Sequence, residues 1–130
     1  MYSLKHMASF PGILKKEKAI ETLNRIKDEE GLLPYPLLLD LSDEVLIVSD
    51  EHTKKILEAY RMKKISKCKL TDGGKEIGNV LLLSTSKSNG KILATHIFKA
   101  SDELLEMASE EINYMLQRQG KMNILRRWKK

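Results

Sequence analysis

The hydrophobic period changes twice along this chain, and these two changes constrain its fold more than any other feature. Apolar residues recur at helical spacing over residues 15–30, whereas residues 37–99 contain short runs in which apolar and polar residues alternate. Helical spacing returns over residues 101–119. Turn residues separate the alternating runs at short intervals, which is typical of antiparallel strands. The sequence therefore predicts a series of strands closed by a final helix.

Local signals predict where these elements begin and end. Residues 2–10 form a predicted first strand, and Gly31 with two following prolines should end the first helix. Asn89-Gly90 between two apolar runs predicts a hairpin, because glycine and asparagine accept the positive φ angles of a tight turn. We expect Gly120 to end the final helix, so that residues 1–120 form one domain and residues 121–130 a basic tail or linker. The other predicted strands cover residues 37–41, 45–48, 55–60, 60–70, 77–85 and 92–99.

The order of these elements predicts an α+β fold. We expect a seven-stranded antiparallel sandwich or partly open barrel, with a helix inserted after the first strand and a C-terminal capping helix. Such an order fits the pleckstrin-homology-like (PH-like) superfold. The helix after the first strand favours the phosphotyrosine-binding (PTB) variant of that superfold.

The segment 60–70 is unusually basic for a strand. Its apolar residues are interspersed with five cations, and an interior strand rarely carries so many because buried unpaired ammonium groups are costly. Charge is common on edge strands, where it discourages unwanted pairing. An edge can nevertheless accept one chosen extended peptide as an added strand. The alternatives are therefore a protected edge and a docking edge, and the cations concerned are Arg61, Lys63, Lys64, Lys67 and Lys69.

Composition argues against several classes of function. The 130 residues carry a net charge of +5 and are 42% hydrophobic and 32% charged, which is typical of one globular domain. Only 5% are aromatic, so we predict no nucleic-acid partner that binds by base stacking. The single cysteine, Cys68, and three scattered histidines, including His96, predict no disulfide, metal or cofactor. Cys68 should be a small buried hydrophobe and His96 a core or rim residue.

The sequence also predicts neither catalysis nor export. Neighbouring carboxylates such as Glu29-Glu30 and Glu110-Glu111 are typical of solvated charge, and no nucleophile elbow or phosphate loop occurs, so we predict that the chain is not an enzyme. The first residues do not resemble a secretory signal, and no apolar run is long enough for a membrane span. We therefore expect a cytoplasmic chain, and its association with membrane or actin stays open.

Several stretches resemble PTB domains. Residues 59–80 resemble the central part of the Dab and Numb type, where a Phe-Pro-Leu-x-Arg-Ile-Ser-x-Cys pattern corresponds to Tyr60-Arg61-Met62 and Lys64-Ile65-Ser66-Lys67-Cys68 here. His96-Ile97-Phe98-Lys99-Ala100 resembles the strand before the family's last helix. Residues 2–10 are similar to the opening of the PTB domain in the epidermal growth factor receptor kinase substrate adaptors. The resemblance covers roughly residues 2–119, and it departs from the family where Tyr60-Arg61 replaces Phe-Pro and Leu116 replaces an aromatic.

The resemblance implies a function. PTB domains take an Asn-Pro-x-Tyr-type peptide from a receptor or adhesion-protein tail as an added strand, with its turn near the final helix. The resemblance also implies a monomeric adaptor that links receptor tyrosine kinase signalling to the actin cytoskeleton. The implied edge consists of Lys64, Ile65, Ser66, Lys67, Cys68, Lys69 and Leu70, with Ile65 facing the core, and the implied helix wall consists of Ile112, Met115, Leu116 and Gln119.

Phosphate recognition is a separate question. Tight phosphotyrosine binding requires convergent cations, usually including a bidentate arginine. Arg61 and Lys63 are the first candidates, but lysines dominate this segment and strand alternation sends neighbours to opposite sides. We therefore expect binding that is independent of phosphate or depends on it weakly. The alternative is a PH-like module for phosphoinositides or anionic membranes, with Lys15, Lys16, Lys87 and Lys91 as its cations.

Overall fold

The computed structural model describes residues 1–12, 15–86 and 93–128, with side chains as far as residue 120. Strands and helices follow the order that the hydrophobic period predicts. The strands are β1 (Tyr2–Pro11), β2 (Tyr35–Leu41), β3 (Val45–Asp50), β4 (Ile56–Arg61), β5 (Ile65–Asp72), β6 (Asn79–Ser86) and β7 (Leu93–Lys99). The helices are α1 (Lys16–Glu29), α2 (Asp102–Trp128) and a short 3-10 helix, Met62–Lys64.

The seven described strands form one antiparallel sheet in the order β4-β3-β2-β1-β7-β6-β5. β4 and β5 are its two edges, although they follow each other in the chain and only the three residues of the 3-10 helix separate them. Three residues span roughly 10 Å at most, so the sheet must curl until its edges approach each other. This arrangement confirms the predicted PH-like fold with a C-terminal helix.

β6 is buried on both faces of the sheet. Leu81 and Leu83 face a core that α2 covers, whereas Val80 and Leu82 face a second core that α1 covers. A strand with two buried faces has a continuous apolar run, which explains why this segment lacks alternation. The helices contribute Ala19 and Leu23 from α1 to the second core, and Leu105 and Ile112 from α2 to the first.

In the described part of the chain, neither helix has the length and apolar character that a membrane crossing requires.

The two glycines that were predicted to end helices behave differently. Gly31 ends α1 as predicted, with a φ of 81° and an N–H that donates to the carbonyls of Ile26 and Lys27. The predicted end of the final helix at Gly120 is wrong, because α2 continues to Trp128. A glycine within a helix costs only about 1 kcal/mol relative to alanine, which neighbouring turns can outweigh. The backbone of residues 121–128, predicted as a tail, is thus helical.

Replacing Gly120 with alanine should therefore stabilise the protein by about 0.5–1 kcal/mol. Apart from its chain neighbours and the backbone of its own helix, no heavy atom of the described residues lies within 4 Å of the place that the new Cβ would occupy. Urea unfolding of the wild type and the variant measures the difference. Gly31→Ala is the matched control and should destabilise, because its φ is positive. A loss of stability in Gly120→Ala would show that the helix ends at Gly120.

The basic segment 60–70 is not one strand, contrary to the prediction. β4 ends at Arg61, the 3-10 helix follows, and β5 begins at Ile65. The side chain of Met62 is completely buried and anchors this turn to the core. Because cations surround Met62 in the sequence, the apolar pattern did not predict its burial. The predicted hairpin residues Asn89-Gly90 lie outside the described residues, although the two strands that flank them do pair.

Candidate functional site

β5 is an edge strand that pairs with β6 along one side only, while α2 packs against it. The register shifts between Ile65 and Lys67, so Ser66 is the extra residue of a β-bulge. The bulge places Ile65 and Cys68, three residues apart, on the same buried face. The prediction that Ile65 faces the core is confirmed. Lys67 is half-buried, and Ser66 and Lys69 are exposed.

Asn113 of α2 contacts the middle of β5, and no sequence signal predicted this contact. Its Nδ2 donates to the main-chain carbonyl of Cys68 at 3.2 Å and to the carbonyl of Ser109 at 2.9 Å. A carbonyl that accepts from α2 points away from β6, so Cys68 directs its backbone oxygen to the free side of the edge. Burial raises the pKa of the Cys68 thiol to about 12, although a hydrogen bond with Ser109 opposes this. Cys68 is thus buried, as predicted, and its thiol is protonated.

The predicted wall residues of α2 differ in their exposure. Ile112 is completely buried in the core, so its side chain cannot meet a ligand at the surface. Met115 and Leu116 pack partly against the same core and remain half-exposed. Gln119, one helical turn beyond Met115, donates from Nε2 to the main-chain carbonyl of Asp43 at 3.0 Å. Three of the four residues therefore keep accessible surface on α2.

Contacts with other elements fix the position of α2. The hydroxyl of Tyr2 on β1 donates to the carboxylate of Glu111, and this hydrogen bond raises the pKa of Tyr2 to about 12. The guanidinium of Arg118 lies 3.4 Å from the carboxylate of Asp43, in the turn between β2 and β3. The space between β5 and α2, called the groove below, is therefore bounded by a helix whose position is fixed.

The two ends of this groove carry opposite charge. Arg61 and Lys63 are exposed just before β5, and Lys64 is half-exposed. At the other end of β5 there is a cavity of about 150 Å³ between the strand and the first turns of α2. A chain that lies along β5 would meet cations at one end and carboxylates at the other. The cavity is lined by Leu70, Thr71, Asp72, Asn79, Asp102, Leu105 and Glu106.

The lysines predicted for phosphoinositides lie elsewhere. Lys15 and Lys16 are exposed at the start of α1, which covers the opposite face of the sheet from α2. The structure therefore does not place them in the groove beside Arg61 and Lys63. Lys87 and Lys91 lie outside the described residues.

A second polar cluster lines a separate cleft of about 260 Å³. The Oγ of Ser9 is 2.7 Å from Nε2 of His6 and 2.7 Å from Nδ1 of His96, whose Nε2 is 3.0 Å from Oγ1 of Thr85. Burial lowers the pKa of His96 to about 4, with a smaller contribution from His6, and burial also lowers the pKa of His6. Within the described ranges, no three His, Cys, Asp or Glu side chains are grouped in a way that could hold a metal ion.

Comparison with known families agrees with this geometry. The model of the phosphotyrosine-binding domain matches residues 2–124. The chain therefore belongs to the phosphotyrosine-binding domain family, which makes it a protein-interaction module and confirms the predicted family. No curated protein matches the chain, and the narrower similarity to the receptor kinase substrate adaptors stays a prediction.

Proposed function

We propose that this chain is an adaptor module that binds an Asn-Pro-x-Tyr-like peptide from a receptor tail in the groove between β5 and α2. The peptide adds to β5 as a further antiparallel strand, and backbone hydrogen bonds supply much of its affinity. The half-exposed Met115 and Leu116 of α2 form the apolar wall of the groove. Methionine suits such a wall because its flexible side chain adapts to different ligands.

The free side of β5 is the observation that carries this proposal. In an antiparallel ladder, alternate residues exchange both hydrogen bonds with one neighbour, and the residues between them direct both groups the other way. Because the carbonyl of Cys68 points to α2, Cys68 and Leu70 direct their backbone groups outward. Lys67 and Lys69 then bond to β6, so their side chains rather than their backbone groups are available to a ligand.

The charges near the groove support binding that does not depend on phosphate. Arg61 and Lys63 are exposed in solvent, where single ion pairs contribute little. Arg118 lies 3.4 Å from the carboxylate of Asp43 and is thus already paired. A tight phosphotyrosine site needs convergent guanidinium groups. We therefore propose that phosphorylation changes the affinity only a few-fold.

The cellular role follows from the resemblance rather than from the groove itself. The opening residues 2–10 are similar to those of the receptor kinase substrate adaptors, which supports a cytoplasmic monomer that links receptors to actin. The competing function is binding of phosphoinositides or an anionic membrane. The exposed Lys15 and Lys16 at the start of α1 favour that alternative, because close cations add about 1 kcal/mol each near an anionic surface.

Amide-shift mapping of the labelled chain separates these functions. An unphosphorylated Asn-Pro-x-Tyr peptide, its phosphorylated form and a soluble inositol phosphate are titrated separately. We expect both peptides to shift amides of residues 64–70 and 112–119, with dissociation constants within a few-fold of each other. A peptide with the Asn and Pro exchanged is the control and should bind weakly. Shifts confined to Lys15, Lys16 and their neighbours with the inositol phosphate, and none with peptides, would overturn the proposal.

A further inference from the structure

The side chain of Asn113 occupies a position that a ligand strand would use. Its Nδ2 lies 3.2 Å from the carbonyl oxygen of Cys68, within the range of a main-chain ladder hydrogen bond. The two residues are 45 positions apart, so this contact depends on the docking of α2 against β5. A side-chain amide thus satisfies the acceptor that faces the free side of the edge.

An incoming peptide strand competes directly with this amide. The carbonyl of Cys68 belongs to the outward-facing set, so the ladder of an added strand needs it as an acceptor. An asparagine side chain is short, and a donor that reaches β5 from α2 crosses the space between them. The backbone N–H of a ligand and Nδ2 of Asn113 therefore cannot both take the best position on this oxygen.

The amide has a second partner on its own helix. Nδ2 also lies 2.9 Å from the carbonyl oxygen of Ser109 and 3.3 Å from its hydroxyl. When Asn113 leaves Cys68, the amide remains hydrogen-bonded to Ser109 instead of becoming an unsatisfied donor. Release therefore costs about as much as one modest hydrogen bond, and the exchange is reversible.

We propose that Asn113 sets the specificity of β5 by reducing the penalty for ligands that lack a main-chain N–H opposite Cys68. The inference rests on the proposed strand addition to β5. Asn113 competes with this N–H in the wild type, and it reoccupies the carbonyl when the ligand carries proline or an N-methylated residue there. The ligand class is thus an extended peptide that carries either a secondary amide or a proline at this position.

Removing the competitor should strengthen binding. In Asn113→Ala the carbonyl of Cys68 is free, so we expect the unphosphorylated Asn-Pro-x-Tyr peptide to bind about three- to tenfold tighter. Asn24→Ala is the matched control: Nδ2 of Asn24 makes the same kind of contacts on α1, at 3.0 Å from the carbonyl of Ile20 and 3.4 Å from that of Gly73. It should leave the affinity unchanged. In the wild type, the side-chain amide resonances of Asn113 should shift on binding.

A cycle with N-methylated peptides tests the mechanism. Each backbone N–H of the peptide is methylated in turn, and each peptide is titrated into the wild type and Asn113→Ala. At the position opposite Cys68, methylation should cost about three- to tenfold more in Asn113→Ala, because only the wild type can restore a donor to the carbonyl. Equal costs in both proteins, or weaker binding in Asn113→Ala, would overturn the inference while leaving strand addition intact. Absence of any shift along β5 in the wild type would overturn both.

Discussion

Replacing Ile112 with alanine is expected to lower the free energy of unfolding by about 3 kcal/mol. The side chain is completely buried where α2 covers the core between the sheet and the helix, and it packs in the same cluster as Leu83 and Leu105. Truncation removes apolar burial and leaves a cavity that a helix fixed at several points can fill only in part. Urea unfolding followed by circular dichroism measures the loss.

Tyr114→Ala is the matched control on the same helix. Its side chain is 57% exposed, so truncation should change stability by about 0.5 kcal/mol or less. Ile112→Ala should also weaken peptide binding near the unfolding transition, because the groove exists only while α2 is docked. A cost below 1 kcal/mol for Ile112→Ala would show that this helix contributes little to closing the core.

The fold could be predicted because the burial of each helix or strand determines the spacing of its apolar residues. The change of period marks the boundary between α1 and the strands, and Gly31 supplies the positive φ that ends this helix. The continuous apolar run of β6 fits a strand between two cores. The order of the elements favoured the PH-like superfold and its PTB variant, and the resemblance in residues 2–10 and 59–80 agreed with that choice.

The register of β5 could not be predicted, because the local sequence pattern does not determine where a β-bulge occurs. The bulge at Ser66 shifts the phase of β5 and brings both Ile65 and Cys68 to the buried face. The cations around Met62 suggested one continuous strand, although a single buried side chain in fact anchors a turn there. The helical spacing likewise places Ile112 in the apolar stripe of α2, but it does not show which residues of that stripe remain exposed to solvent.

The contacts of Asn113 and of the His6–His96 cluster form only between residues that are far apart in the sequence. Asn113 is an ordinary polar residue of a helix until α2 docks within reach of the carbonyl of Cys68. His6 and His96 are 90 positions apart in a sequence of 130 residues, and only the pairing of β1 with β7 brings them to the same hydroxyl of Ser9. The periodicity of a single sequence cannot predict contacts of this kind.

The cluster around His96 should make the protein sensitive to mild acid. Burial lowers the pKa of His96 from 6.5 to about 4, and His6, in the same cluster, adds to this effect. Glu58 also lines this cleft. Between pH 6.5 and 4 the unfolded chain binds a proton at His96 that the folded chain does not bind. Stability is therefore complete above about pH 6.5 and falls as the pH decreases toward 4.

We expect His96 to account for a loss on the order of 1–2 kcal/mol between pH 7 and pH 4. Each unit of pKa corresponds to about 1.4 kcal/mol, and solvent screening of a half-buried side chain reduces the full value. Urea unfolding as a function of pH measures this loss. His96→Asn keeps a polar side chain that does not titrate, so its stability should fall less over this interval. His52→Asn, in the exposed turn after β3, is the control for loss of a histidine and should follow the wild type. Parallel curves for His96→Asn and the wild type would show that His96 is not the group that links folding to protons, since carboxylates titrate equally in both proteins.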